Sequence, residues 1–161
     1  MEAFIAWIEK NIMPGANKLA SERHLKAIRD TFMTILPPIF FGGIIAVINS
    51  APVTDDTTNG ILLAWAAFDQ QNALVLGWLN QVTLGFLSLY VCIGITYYLA
   101  KSYEMEVFLP IIISLAGYCM LVIDPQEISF GNVLGQLTYF DGKGILVALF
   151  VSIMTVELYR V

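Results

Sequence analysis

Residues Thr31 to Asn49 have the sequence TFMTILPPIFFGGIIAVIN, in which no position carries a charge. A helix needs about 20 apolar residues to cross a hydrocarbon core roughly 30 Å thick, and this stretch is nearly that long. In lipid, a lone strand would leave its backbone N–H and C=O groups without partners. The stretch therefore predicts a transmembrane helix and makes an all-α membrane protein the expected fold class.

The composition of the whole chain supports this fold class. Apolar residues make up 58% and charged residues only 13%, with a mean hydropathy of +0.74, whereas about a quarter of a typical soluble domain is charged. Three further apolar runs follow the first. We expect about four transmembrane helices, forming one part of a transmembrane domain over 31–161, at 31–49, 73–100, 107–123 and 144–159.

Other features of the runs leave alternatives open. The apolar stretch Ile61 to Phe68 is too short to span alone, and we expect it in the membrane interface. Pro37-Pro38 and Gly42-Gly43 interrupt regular hydrogen bonding and predict a bend in the first span, serving either packing or a gating hinge. Gly42 and Ala46 have the small-xxx-small spacing that lets helices approach closely.

The basic residues predict the orientation. The loop from Ser50 to Asn72 has no Lys or Arg, whereas the segment before the first span is rich in them. Because cytoplasmic loops are enriched in Lys and Arg, we predict that both termini are cytoplasmic. The basic residues assigned to that side are Lys10, Lys18, Arg23, Lys26, Arg29, Lys101 and Arg160, and Lys143 is assigned to the opposite side.

Residues 1–30 predict a cytoplasmic amphipathic or interfacial segment. Apolar residues fall on one helical face up to Pro14-Gly15, which favours an N-terminal amphipathic helix on the membrane surface. A second short helix, from Ser21 to Asp30 and capped by Ser21, would then lead into the first span. The residues of the apolar face are Phe4, Ile5, Ile8 and Ile12.

Few residues could carry chemistry. His24 could accept a phosphoryl group or relay a proton, or it could be an interfacial side chain. Glu157 could mark a transport path, or it could pair with Arg160 near the interface. Cys92 and Cys119 predict reduced, buried thiols. The sequence predicts no catalytic residue, no metal site, no cofactor and no nucleic-acid partner. The polar residues Asn49, Asn80, Gln81 and Thr83 would line a sugar path or form interhelical hydrogen bonds.

The stretch from Ser21 to Phe32, SERHLKAIRDTF, resembles the start of the membrane permease subunit (enzyme IIC) of phosphoenolpyruvate-dependent sugar phosphotransferase systems, in the lactose, cellobiose and diacetylchitobiose branch. Met13-Pro14 before it, Pro37 and Gly42 after it, and the ending of the last run around Glu157 resemble the same family. The signature residues are Arg23, His24, Leu25, Ala27, Ile28, Arg29 and Asp30.

This resemblance implies uptake of an oligosaccharide of the cellobiose, lactose or diacetylchitobiose type, coupled to its phosphorylation by a partner IIB subunit. It also implies a homodimer in the plasma membrane of a bacterium. The phosphoryl group would come from phosphorylated IIB, so whether the chain itself counts as an enzyme stays open.

The chain departs from the family in length. Family members have about ten spans, and their sugar-binding histidine and glutamate belong to a C-terminal half that matches no position here. We therefore assign no substrate-binding residue. We expect the chain to be a natural truncation, the product of a split gene, or a fragment cut at an expression boundary. We also expect that it cannot transport alone. The alternatives are a four-helix scaffold or dimerisation module, a small independent channel or carrier and, last, a self-contained enzyme.

Overall fold

A computed structural model describes residues 22–54, 57–123 and 140–161. The predicted amphipathic helix and the capping role of Ser21 lie outside these residues. The described elements are α-helices α1 (Arg23–Ile48), α2 (Gly60–Asn80), α3 (Leu87–Ser102), α4 (Phe108–Val122) and α5 (Ile145–Arg160), a π-helical segment (Gln81–Gly85) and a 3-10 turn (Gly142–Gly144).

The helices have the length and composition of membrane spans. Three segments, Arg23–Ile48, Gly60–Ser102 and Gly142–Arg160, are long and apolar enough to cross a bilayer, and Phe108–Val122 is a shorter apolar helix. Large apolar side chains such as Leu74 and Phe40 are exposed on their outer faces, as expected where lipid is the solvent. The all-α membrane fold is confirmed for the described residues, including helix at Ile111–Ser114.

Helix α3 is the centre of the fold, because α1, α4 and α5 all pack against it. Its residues Val91, Cys92, Ile95 and Leu99 are fully buried. The main apolar cluster continues from α3 to Tyr118 of α4 and to the other helices. Helix α2 packs on α1 and on the π-helical segment, and Leu76 is its buried residue.

Two predicted boundaries were wrong. The structure has one continuous helix from Arg23 to Ile48, without a separate short helix ending at Asp30, and Pro37-Pro38 lie inside it. Ile61–Phe68 belongs to α2, whose start is capped by the Asn59 side chain accepting from the Ile61 N–H at 3.0 Å. The predicted run 73–100 is therefore divided by the π-helical segment into parts of α2 and α3.

Close helix approach depends on two glycines. A Cβ on Gly42 would lie 2.5 Å from Thr83 Oγ1 and 2.8 Å from Leu84 Cγ, and a Cβ on Gly94 would lie 2.5 Å from Thr31 Cγ2. Adding a methyl group at Gly42 would therefore push α1 away from the π-helical segment, and adding one at Gly94 would push α3 away from α1. Close approach at Gly42 agrees with the packing interpretation of the first span.

Candidate functional site

A polar cluster joins three helices at one end of the bundle, with the Glu157 carboxylate at its centre. Tyr103, just after α3, donates its hydroxyl to Glu157 Oε1 at 2.6 Å. His24 Nε2 from α1 lies 3.0 Å from the same oxygen, and Arg160 Nη1 lies 3.7 Å from Oε2. One carboxylate of α5 thus connects the N-terminal turn of α1 to the C-terminal end of α3.

Two guanidinium groups lie close to the Tyr103 ring. The guanidinium groups of Arg23 and Arg160 lie 4.9 Å and 4.3 Å from its ring centroid, within the range of cation–π attraction. The hydrogen bond to Glu157 raises the pKa of the Tyr103 phenol, because ionisation would place two negative charges side by side. The phenol therefore stays a donor at neutral pH.

This arrangement explains His24 better than a catalytic role does. The imidazole is partly exposed and bonded to a carboxylate, so its hydrogen bond ties α1 to α5. The predicted ion pair between Glu157 and Arg160 is present, but sequence reasoning missed the partnership with His24. The predicted orientation placed His24 and Glu157 at the same side of the membrane. That shared side was the only feature of the sequence that pointed to their contact.

The signature residues have different environments. Ala27 is buried in a small cluster with Leu99, Ala100 and Val156, and Ile28 packs against the main apolar cluster. Arg29 donates from Nε and Nη2 to Asp30 Oδ1 at 3.0 and 2.9 Å. Leu25 is 40% exposed. The signature therefore combines packing positions with a charged surface.

A cavity of about 290 Å³ opens beside this cluster, between α1 and α3. Three cationic side chains, Arg23, Lys26 and Lys101, lie around it together with Asp30 and Ser102. The positive charge of this cavity suits an anionic group. No cysteine is among the described residues that line it.

A second set of polar groups lies inside the bundle. Thr96 Oγ1 donates to Ser114 Oγ at 2.9 Å, and Ser152 Oγ donates to the Cys92 carbonyl at 3.1 Å. Thr96, Ser114 and Ser152 are all fully buried. Since these hydroxyls bond one another and the backbone, they join α3, α4 and α5 and do not line a water-filled path in the part of the chain described. A small independent channel is correspondingly disfavoured.

For the polar residues around the π-helical segment, the structure bears on the expected interhelical hydrogen bonds of Thr83 and Asn80, and the sugar path stays a prediction. Thr83 donates to the Leu79 carbonyl at 2.7 Å, within its own helical segment, so it forms no interhelical bond through that contact. Asn80 Oδ1 is buried without a hydrogen-bond partner among the described residues. Cys92 and Cys119 are both free thiols; Cys92 is buried, as predicted, whereas Cys119 is only partly buried.

We expect Glu157→Ala and His24→Ala to lower stability non-additively. Each single substitution should cost about 1 kcal/mol, a modest value because these side chains are partly exposed and water can replace some bonds. A double-mutant cycle monitored by thermal unfolding in detergent measures the coupling. Glu106→Ala, on the exposed connection before α4, is the control. Additive losses for His24 and Glu157 would show that the contact contributes nothing.

The fold and the charged cluster define a multi-pass helical membrane protein with a basic face at one end. The family described as phosphotransferase system, EIIC, matches residues 29–161. The chain belongs to this family, which confirms the resemblance seen in the signature.

Known relatives agree with this assignment. The oligo-beta-mannoside-specific EIIC component of Bacillus subtilis (strain 168) is 28% identical over 95% of this chain and 34% of its own length. The cellobiose-specific EIIC component of Geobacillus stearothermophilus is 28% identical over 99% and 36%. The crystal structure of ChbC, the IIC component of the N,N'-diacetylchitobiose-specific phosphotransferase system, aligns with a TM-score of 0.73 and 25% identity, over 96% of this chain and 37% of that one. The chain thus spans about a third of the length of these relatives.

Proposed function

We propose that this chain forms the N-terminal portion of a sugar phosphotransferase permease, which takes up an oligosaccharide for phosphorylation by a IIB partner. The observation that carries this proposal is the alignment of nearly the whole chain with one continuous fold, that of ChbC, at a TM-score of 0.73. The signature from Arg23 to Asp30 belongs to the same portion.

The substrate class rests on the relatives. Their names specify cellobiose, oligo-beta-mannoside, N,N'-diacetylchitobiose and, for a protein of Staphylococcus haemolyticus, lactose. All of these are oligosaccharides, so we propose an oligosaccharide of this type as the substrate. We expect the sugar-binding residues in the C-terminal half, because the polar groups of the described core already bond one another.

The proposed partners follow from the same comparison. The lactose-specific relative of S. haemolyticus is named an EIICB component, so a IIB unit accompanies a IIC unit in that protein. We propose that phosphorylated IIB approaches the end of the bundle that carries Arg23, Lys26 and Lys101, where basic side chains would attract an anionic partner. A homodimer is the proposed assembly.

The second candidate is a four-helix scaffold or dimerisation module without transport activity. The exposure of α2 favours it, since large apolar side chains such as Leu74, at 84% exposed, cover that helix. A surface of this kind contacts either lipid or another protein.

Uptake in cells that lack their own permease separates the two candidates. Radiolabelled cellobiose, lactose and diacetylchitobiose are supplied to cells that express this chain alone or together with a C-terminal permease half. Accumulation of sugar phosphate only on co-expression supports the permease portion. Activity of the chain alone would overturn the expectation that the C-terminal half binds the sugar. If neither strain accumulates sugar phosphate although this chain and the C-terminal half are inserted in the membrane, the scaffold is favoured.

A further inference from the structure

Helices α1 and α3 form a continuous groove along their shared edge. On α1 the groove residues recur at helical spacing on one face, and on α3 they do the same. One end of the groove is the basic cavity described above, and the remainder is a cavity of about 310 Å³. The residues of the second cavity are Thr34, Ile35, Pro38, Tyr90, Ile93, Gly94, Tyr97 and Tyr98.

The two cavities are neighbours on the same edge. Tyr98 contributes to both of them. Its hydroxyl is hydrogen-bonded to Thr34 Oγ1 at 2.6 Å, so the polar atoms at this point are already paired. The second cavity therefore presents mainly apolar walls, formed by side chains such as Ile35, Pro38 and Ile93.

The basic end carries uncompensated positive charge among the described residues. Arg23 stacks on Tyr103, and Lys101 Nζ lies 5.5 Å from the Tyr97 ring centroid, but neither these two nor Lys26 forms an ion pair with a described carboxylate. Asp30, the one acid at the cavity, is already paired with Arg29. An anionic group entering the cavity would thus meet three cations that are unpaired among the described residues and one carboxylate that is paired with Arg29.

We propose that this groove binds one anionic phospholipid, with its phosphate in the basic cavity and an acyl chain along the apolar cavity. A soluble phosphate would use only the basic end, and an apolar helix from another protein would leave the cations without counter-charge. A phospholipid satisfies both parts of the groove. Basic pockets between transmembrane helices are suited to such headgroups, and the proposal does not depend on which sugar the protein transports.

Native mass spectrometry of the purified full chain tests this proposal. Delipidated protein is mixed with phosphatidylglycerol, with phosphatidylcholine of the same acyl chains, or with glycerol phosphate. We expect phosphatidylglycerol adducts to be at least about tenfold more abundant than phosphatidylcholine adducts, since each nearby Lys or Arg attracts the net negative headgroup. The double substitution Lys26→Gln/Lys101→Gln should abolish this preference, and Lys143→Gln, at the opposite end of the bundle, should preserve it.

Four results would overturn the proposal. Equal binding of the two lipids, or an unchanged preference in the double variant, would show that the groove does not select an anionic headgroup. Glycerol phosphate binding as well as phosphatidylglycerol would identify a soluble-phosphate site. A dimer that takes up no phosphatidylglycerol, alongside a monomer that does, would assign the groove to a second copy. The unmodified protein provides an independent readout, because added salt should weaken its preference for phosphatidylglycerol.

Discussion

Gly42→Leu will destabilise the protein strongly, whereas Gly43→Leu will leave it nearly unchanged. A Cβ at Gly42 already lies within 2.8 Å of the branched Thr83 side chain, but nothing lies within 4 Å of a Cβ at Gly43. Thr83 Cβ is close to its own backbone, so relief requires the π-helical segment to move. Overpacking of this kind costs typically 1–3 kcal/mol, and a leucine adds more than a methyl group.

The two variants are matched because they are neighbours on one helix and make the same chemical change. Thermal unfolding in detergent, followed by loss of a monodisperse gel-filtration peak, is the measurement. We expect a midpoint several degrees lower for Gly42→Leu. Equal midpoints for both variants would contradict the close approach of α1 to Gln81–Gly85.

Tyr118→Ala is expected to have the second large effect. The Tyr118 side chain is fully buried, and its ring centroid lies 5.6 Å from that of Phe140 in an edge-to-face contact. Its hydroxyl also lies 2.5 Å from Ser88 Oγ. Removing the ring leaves a cavity where α3, α4 and the segment before α5 meet, which costs about 3–5 kcal/mol.

Two further variants separate packing from hydrogen bonding at this position. Tyr118→Phe keeps the ring and loses only the hydroxyl, so we expect a loss of about 1 kcal/mol. Tyr159→Ala removes an exposed tyrosine near the end of α5 and should change the midpoint little. If the midpoint of thermal unfolding of Tyr118→Ala is close to that of Tyr159→Ala, the Tyr118 ring is not part of a packed core.

The sequence predicted the helices best where apolar runs were long and uninterrupted. The charge-free run from Thr31 to Asn49 lies almost wholly within α1, and 144–159 corresponds closely to α5. The part of α2 before residue 73 was missed because Asp69 and the following polar residues ended the apolar window, although a helix can continue through polar residues. Asn59 before Gly60 was an available capping signal for its start.

The candidate site was only partly predictable. The signature from Arg23 to Asp30 identified the family, but it could not show that Ala27 is buried while Leu25 is exposed, since that depends on where α3 packs. The contact of His24 with Glu157 joins residues far apart in the chain. It requires α1 and α5 to be close at one end, and no local pattern specifies which helices are neighbours.

A chimera tests the proposed function most directly. In the diacetylchitobiose permease ChbC, the portion that aligns with this chain is replaced by this chain, and uptake with phosphorylation of radiolabelled diacetylchitobiose is measured. We predict sugar phosphate accumulation in cells with the chimera, and its loss when the chimera carries Gly42→Leu but not Gly43→Leu. A chimera that is inserted in the membrane at the level of ChbC, yet accumulates no sugar phosphate, would contradict the proposal that this chain forms the N-terminal portion of a sugar permease.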